Sequence, residues 1–278
     1  MHELVYVTSD GEEVDLQTAA ATSGQSLDVR YGEWDYDVGR HGAVSGVERA
    51  SAERELELTF RDLDAATRAL LAFERDMEAE VPGTLVALGE WSQRALFPLS
   101  KPDALDAGSV TLKSTVLLLD GVWRRETRVT LQPGSGGSEE AGGTDYPHDY
   151  PLDLGATASG TTITVGGQGA LVRVTFFGAA SDPYVVIGSN TYGIECSLGS
   201  GERAVIDPLR RREVGGSVYS VGRFGEVTNL FASRLRGAEG SGTYCFERLP
   251  AGELRVAWPQ SMGVWLDIIE ERGALPWS

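Results

Sequence analysis

The spacing of apolar and polar residues changes character along this 278-residue chain. The opening "MHELVYVTSDGEEVDL" predicts a strand, a turn at Asp10-Gly11 and a second strand. "SLDVRYGEWDYDVGRHGAVSG" alternates polar with apolar residues and then enters a glycine-rich loop over 39–46. "ERELELTFRDL" sets Leu56, Leu58 and Phe60 at period two, the pattern of a strand with one buried face. The period then lengthens. Leu63, Ala66, Leu70, Phe73 and Met77 form a helical stripe over 63–79, with Asp62 or Asp64 as cap and Pro82-Gly83 as stop. "GTLVALGEW", "ALFPLS" and "SVTLKSTVLLLDGVWRRETRVTL" return to strand character. Residues 1–131 are expected to be antiparallel β-structure with one amphipathic helix.

A break follows. "QPGSGGSEEAGGTD", residues 132–145, is a flexible Gly/Ser/Glu linker, too poor in apolar residues to offset the entropy of ordering. Tyr146-Pro147 and Tyr150-Pro151 then stiffen the chain, because proline fixes its own φ and disfavours helix in the residue before it. These four residues are the expected interdomain junction. A metal site at His148 with Asp145, Asp149 and Asp153 is not expected, since an extended segment splays alternate side chains apart. Beyond it, short strand-like segments such as "TTITVGG", "ALVRVTFFG", "RAVIDPLRRREV", "NLFA" and "GVWLDIIEERG" recur with turn signals at sandwich rhythm. The fold class is mainly β: an N-terminal β-structure with one α-helix, followed by a β-sandwich over 146–278.

Charge narrows the partners. The net charge is −17, and residues 1–131 hold 24 acids against 13 bases. Such a surface repels nucleic acid, so no specific nucleic-acid binding is expected. No apolar run is long enough to cross a bilayer, and the acidic, strand-like start is unlike a signal peptide, which fits synthesis in a cytoplasm. Cys196 and Cys245 are too few for a disulfide framework and read as small buried thiols.

The order of parts resembles the distal tail protein of long-tailed, siphovirus-type bacteriophages. The resemblance rests on "GAVSGVERASAERELELTFRDLDAATRALLAFERDM", on the junction "YPHDYPLDLG", and on "VRVTFFGAASDPYVVIGSNTYGIECSLGSGERAVID". "NLFASRLRG" and "FERLPAGELRVAW" complete it. It implies a galectin-like second domain and a virion structural protein, from a phage or prophage, at the tail tip. There a ring, usually a hexamer, joins the tail tube protein to the tail hub protein and possible receptor-binding proteins, while DNA passes through the lumen. Six acidic domains around that channel would keep a passing duplex from adhering.

Catalytic signatures are missing. No GxSxG, HExxH, Walker or GxGxxG pattern stands in a strand-helix context, and Asp35/Asp37 and Glu270/Glu271 are chance pairs in so acidic a chain. The chain is expected to be no enzyme and to need no cofactor or metal. The rival reading is a carbohydrate-binding or adhesin module. Trp258 and Trp265 would stack on sugar, with Arg173 and Asn190, and also Asn229 and Arg255, as polar contacts; both tryptophans equally suit a core. "LRRREV" is the one basic cluster. Arg210, Arg211 and Arg212 form either a solvated hairpin tip or a docking contact for an acidic partner. The segment 110–131 is expected to be a hairpin able to reach a neighbouring subunit by strand addition.

Overall fold

Leu4–Val7 (β1) and Glu13–Asp15 (β2) pair antiparallel around a tight turn, as the alternation at the start requires. They belong to a computed structural model that describes residues 4–16, 21–23, 28–106, 108–134, 158–210 and 216–275. The chain divides into two compact units, Met1–Arg125 with Glu271–Ser278, and Glu126–Glu270. The described residues are mainly β with a single α-helix.

In the first unit, β3 (Ala21–Ser23) is followed by β4 (Trp34–Val38), β5 (Val44–Arg49) and β6 (Ala52–Phe60). Helix α1 (Leu63–Glu78), β7 (Gly83–Ala87), β8 (Trp91–Asp106) and β9 (Ser109–Leu118) come next, and β10 (Trp123–Leu131) starts here. β6 pairs with β3 and β9, β8 with β9 and β7, and β7 with β1. Leu56, Leu58 and Phe60 of β6 are buried, as their period predicts.

The Asp62 side chain caps α1 by accepting the Asp64 N–H at 3.0 Å. The helix ends where Glu80 turns left-handed at φ 55°, just before Pro82. Its buried face differs from the expected stripe. Ala66, Ala69, Ala72, Phe73 and Asp76 face inward, while Leu63 is 45% and Met77 37% exposed. Three alanines let the helix axis approach the sheet closely, which longer side chains would prevent. Phe73 stacks on Phe97 with ring centroids 4.0 Å apart, and Tyr6 meets both rings edge-on. Each such ring, fully buried, contributes on the order of 1.5–3 kcal/mol.

Two further expectations are corrected. Residues 110–131 are not a hairpin: β9 lies between β6 and β8, and β10 instead meets β8 at Arg124 opposite Ser92. Residues 39–46 are not one loop either. Val44–Gly46 already belong to β5, and Gly46 at φ 60° provides a bulge within the strand.

The second unit holds β11 (Ala158–Val165), β12 (Ala170–Phe177), β13 (Ala180–Ser181), β14 (Tyr184–Ile187), β15 (Asn190–Gly193) and β16 (Ser197–Leu198). β17 (Arg203–Ile206), β18 (Val218–Val221), β19 (Val227–Asn229), β20 (Gly252–Pro259) and β21 (Gly263–Arg272) follow. One sheet runs β11-β20-β14-β15; opposite it, β19-β18-β17-β12-β21 are neighbours in order. Side chains of both sheets, including Ile163, Val185 and Val256 from one and Val174, Ile206 and Leu266 from the other, share one core. That is a β-sandwich. "NLFA" departs from its expected strand, since Phe231–Ser233 form a 3-10 turn. The chain passes between the units after Arg125 and after Glu270.

Candidate functional site

The most exposed apolar surface of the first unit is a ribbon of two strands that pair only with each other. β4 and β5 form a separate sheet, with Trp34 opposite Arg49, Asp35 opposite Glu48 and Val38 opposite Val44. Alternation sends Trp34, Tyr36 and Val38 to one face. Their exposures are 50%, 55% and 63%, and Val44 and Val47 are equally open. Asp35, Asp37 and Glu48 belong to the opposite, acidic face. The ribbon's base is fixed: the Arg49 guanidinium lies 3.5 Å from the Trp34 ring centre and against Gly273 and Gly32, where a Cβ would collide. Burial lowers the pKa of Arg49 from its ordinary value. A lone two-stranded ribbon is marginally stable in water, and apolar patches of this kind mark interaction sites.

A second open feature adjoins the far end of β8. From Leu99 to Asp106 the strand has β9 as its only pairing partner among the described residues, leaving one edge free. Leu105 is 72% exposed. Irregular register at Leu96/Leu99 and Pro102/Ala104 twists that edge, a common defence against unwanted strand pairing.

The residues singled out in the sequence fall in different places. Trp258 of β20 is 2% exposed and belongs to the sandwich core, so its ring cannot stack on a sugar. Asn190 of β15 is buried too, its amide donating to the Tyr244 carbonyl at 3.0 Å. Trp265 and Arg173 share the outer face of the other sheet, because Thr175 pairs with Trp265 and Arg173 with Asp267. Arg173 is committed to Asp207 at 2.8 Å and to Glu126 at 3.2 Å. Burial pulls its pKa down, but the Asp207 and Glu126 carboxylates outweigh that and raise it, so the guanidinium stays charged. Arg128 forks onto the buried Asp267 at 2.6 and 3.0 Å. Arg210 stacks its guanidinium 4.4 Å from the Tyr219 ring centre. Arg211, Arg212, Tyr146, Pro147, Tyr150, Pro151 and His148 lie outside the described residues.

Sequence reasoning passed over the ribbon. Its signal was present in "WDYDV", where large apolar residues alternate with acids, but the adjoining glycines made the return strand read as loop.

No protein-family model matches the chain, and no curated protein is found similar to it. Solved structures share its fold. The Dit (gp 19.1) protein of SPP1, described as a paradigm of the hub adsorption apparatus in phages that infect Gram-positive bacteria, aligns over 97% of this chain and 99% of its own, with TM-score 0.53 and 10% identity. The phage P2 baseplate in its activated conformation with calcium aligns over 99% of this chain and 100% of the matched chain, with TM-score 0.55 and 10% identity. Its strontium counterpart gives the same coverage and TM-score at 12% identity.

Proposed function

We propose that this chain is a non-enzymatic structural subunit of a phage tail tip, in which the first unit joins copies into a ring and the second offers a platform to neighbouring baseplate proteins. The observation that carries this reading is the fold shared from end to end with a phage hub protein and phage baseplate chains at TM-scores of 0.53–0.55.

The exposed ribbon supports the same reading. Its apolar face, Trp34 to Val47, suits burial against the next copy, leaving Asp35, Asp37 and Glu48 outside the contact. Repeated head to tail, such a contact gives a ring when its rotation closes on itself. Six copies would place the acidity of residues 1–131 around a channel, where it would keep a passing duplex from sticking. The tail tube protein above and the hub protein below are the expected neighbours, with receptor-binding proteins outside. The virion tail tip is the expected location.

The mass of the purified full chain in solution tests this. A hexamer, or a pair of stacked hexamers, is expected. A strict monomer at high concentration overturns the reading.

A further inference from the structure

A cleft of about 570 Å³ opens on the outer face of the β12-β17-β18-β21 region and uses none of the ribbon's residues. Its floor follows from the strand register. Val221, Arg203, Phe177 and Gly263 lie in one row across four strands. Gly263 has no side chain, and the Phe177 ring occupies the space where a Cβ would stand. Trp265, one alternation further along, packs against Phe177 with centroids 4.8 Å apart, and the Arg128 guanidinium lies 5.4 Å from the Trp265 ring centre. The aromatic floor is therefore held in place before any ligand arrives.

Two turns form the walls. Glu202 accepts the Gly199 N–H at 2.8 Å, shaping the turn before β17. Glu226 accepts the Phe224 N–H at 3.1 Å, shaping the turn between β18 and β19. Gly201 and Gly225, at φ 84° and 89°, make both turns possible. Arg203 and Arg223 stand on the rim, both exposed. Neither guanidinium forms an ion pair or hydrogen bond among the described residues, whereas those of Arg128 and Arg173 on the same sheet are both paired. In a chain of net charge −17, these two guanidiniums balance Glu202 and Glu226, whose carboxylates are engaged by backbone N–H groups of the turns, and leave free donors beside an aromatic floor.

We propose that this cleft binds an anionic saccharide, with Arg203 and Arg223 gripping its carboxylate or phosphate and the Phe177–Trp265 floor supporting a sugar ring. Guanidinium forks match planar or tetrahedral oxyanions, and aromatic surface suits the C–H face of a sugar. The volume accommodates a short oligosaccharide. The site shares no residue with the ribbon, and it moves the sugar contact from Trp258 and Asn190 to residues that face solvent.

Calorimetric titration of the full chain tests it with five probes: a hyaluronan tetrasaccharide, a phosphodiester-linked glucose oligomer, maltotetraose, inorganic phosphate and a hexaglutamate peptide. At least one of the two anionic polyol probes is expected to bind, and which one does separates a uronate from a phosphodiester source. Maltotetraose, phosphate and the peptide are expected to bind at least tenfold more weakly. Arg203→Ala with Arg223→Ala should weaken the anionic probe tenfold or more, while Arg40→Ala, in the first unit, should not change it. No binding of either anionic polyol, equal binding of any of the other three probes, or indifference to the double substitution overturns the proposal.

Discussion

The Tyr6 hydroxyl donates to the Asp76 carboxylate across 2.6 Å, with both residues at 0% exposure. Asp76 also accepts the Ser9 hydroxyl at 2.6 Å and the Ser9 N–H at 3.2 Å. The Tyr6 oxygen in turn accepts the Gly83 N–H at 3.2 Å. One carboxylate on the inner face of α1 thus ties the helix to β1 and to the turn after it. An acid here is tolerated because every neighbour is a donor.

Tyr6→Phe removes the phenol's bonds to Asp76 and Gly83 and its longer contact with the Ala95 carbonyl, and leaves Asp76 with Ser9. The expected loss is about 1–3 kcal/mol of unfolding free energy, read as a lower urea midpoint at unchanged m-value. Burial first, and the Asp76 carboxylate second, raise the Tyr6 pKa above its ordinary 10.0. An acid whose folded pKa is raised keeps its proton while the unfolded chain loses it. Stability should therefore fall as pH rises past 10, and fall less steeply in Tyr6→Phe. Equal slopes in the two proteins would count against this role.

Asp120 gives the opposite pH dependence. Burial pushes its pKa up, but hydrogen bonds from Arg94 and the Arg124 and Arg94 charges outweigh it and hold the pKa below the ordinary value. A depressed folded pKa adds stability above the unfolded value, and that stability is lost as pH falls through the folded one. Asp120→Asn should lose about 1–3 kcal/mol at neutral pH, and the gap from the parent protein should narrow in acid. Thermal unfolding between pH 3 and 7 measures it.

Asp267 is 3% exposed and faces two guanidiniums, Arg128 and Arg173. Asp267→Ala leaves both without that carboxylate. The expected cost is about 2–3 kcal/mol, at the low end for a broken buried pair because Arg128 is largely exposed. Asp267→Asn, which keeps one acceptor oxygen, should cost less in the same denaturation experiment.

Trp34→Ser combined with Tyr36→Ser should leave the far-ultraviolet dichroism nearly unchanged, because both side chains are at least half exposed. Sedimentation should instead show the assembled species replaced by monomer. A parent protein that assembles and a variant that assembles equally well would remove the ribbon from the contact without touching the rest of the proposal.

Much of the architecture was legible in the sequence, for identifiable reasons. Period-two burial at Leu56, Leu58 and Phe60 survived because β6 has one wet face. The helix was legible from its period and its Asp62 cap. Its buried face was not, since alanine looks neutral in a pattern yet decides how closely a helix can approach a sheet. Pairing was harder still. Nothing in the apolar spacing of β9 and β10 says that neighbours in sequence do not pair. Trp258 and Trp265 look alike in sequence, and only the register sends one into the core and the other to the outer face. The cleft left a weaker trace, two Gly-containing turns whose proximity depends on β17 and β18 being partners.

The segment after Glu270 has a consequence for dissecting the molecule. Leu275 enters the first unit's core, its N–H reaches the Arg30 carbonyl at 2.9 Å, and Gly273 seats the Arg49 side chain at the ribbon's root. Scissors placed between the halves would therefore cut away a brace along with the rear portion, so a shortened front fragment that fails to oligomerise would be reporting a missing tail-end prop.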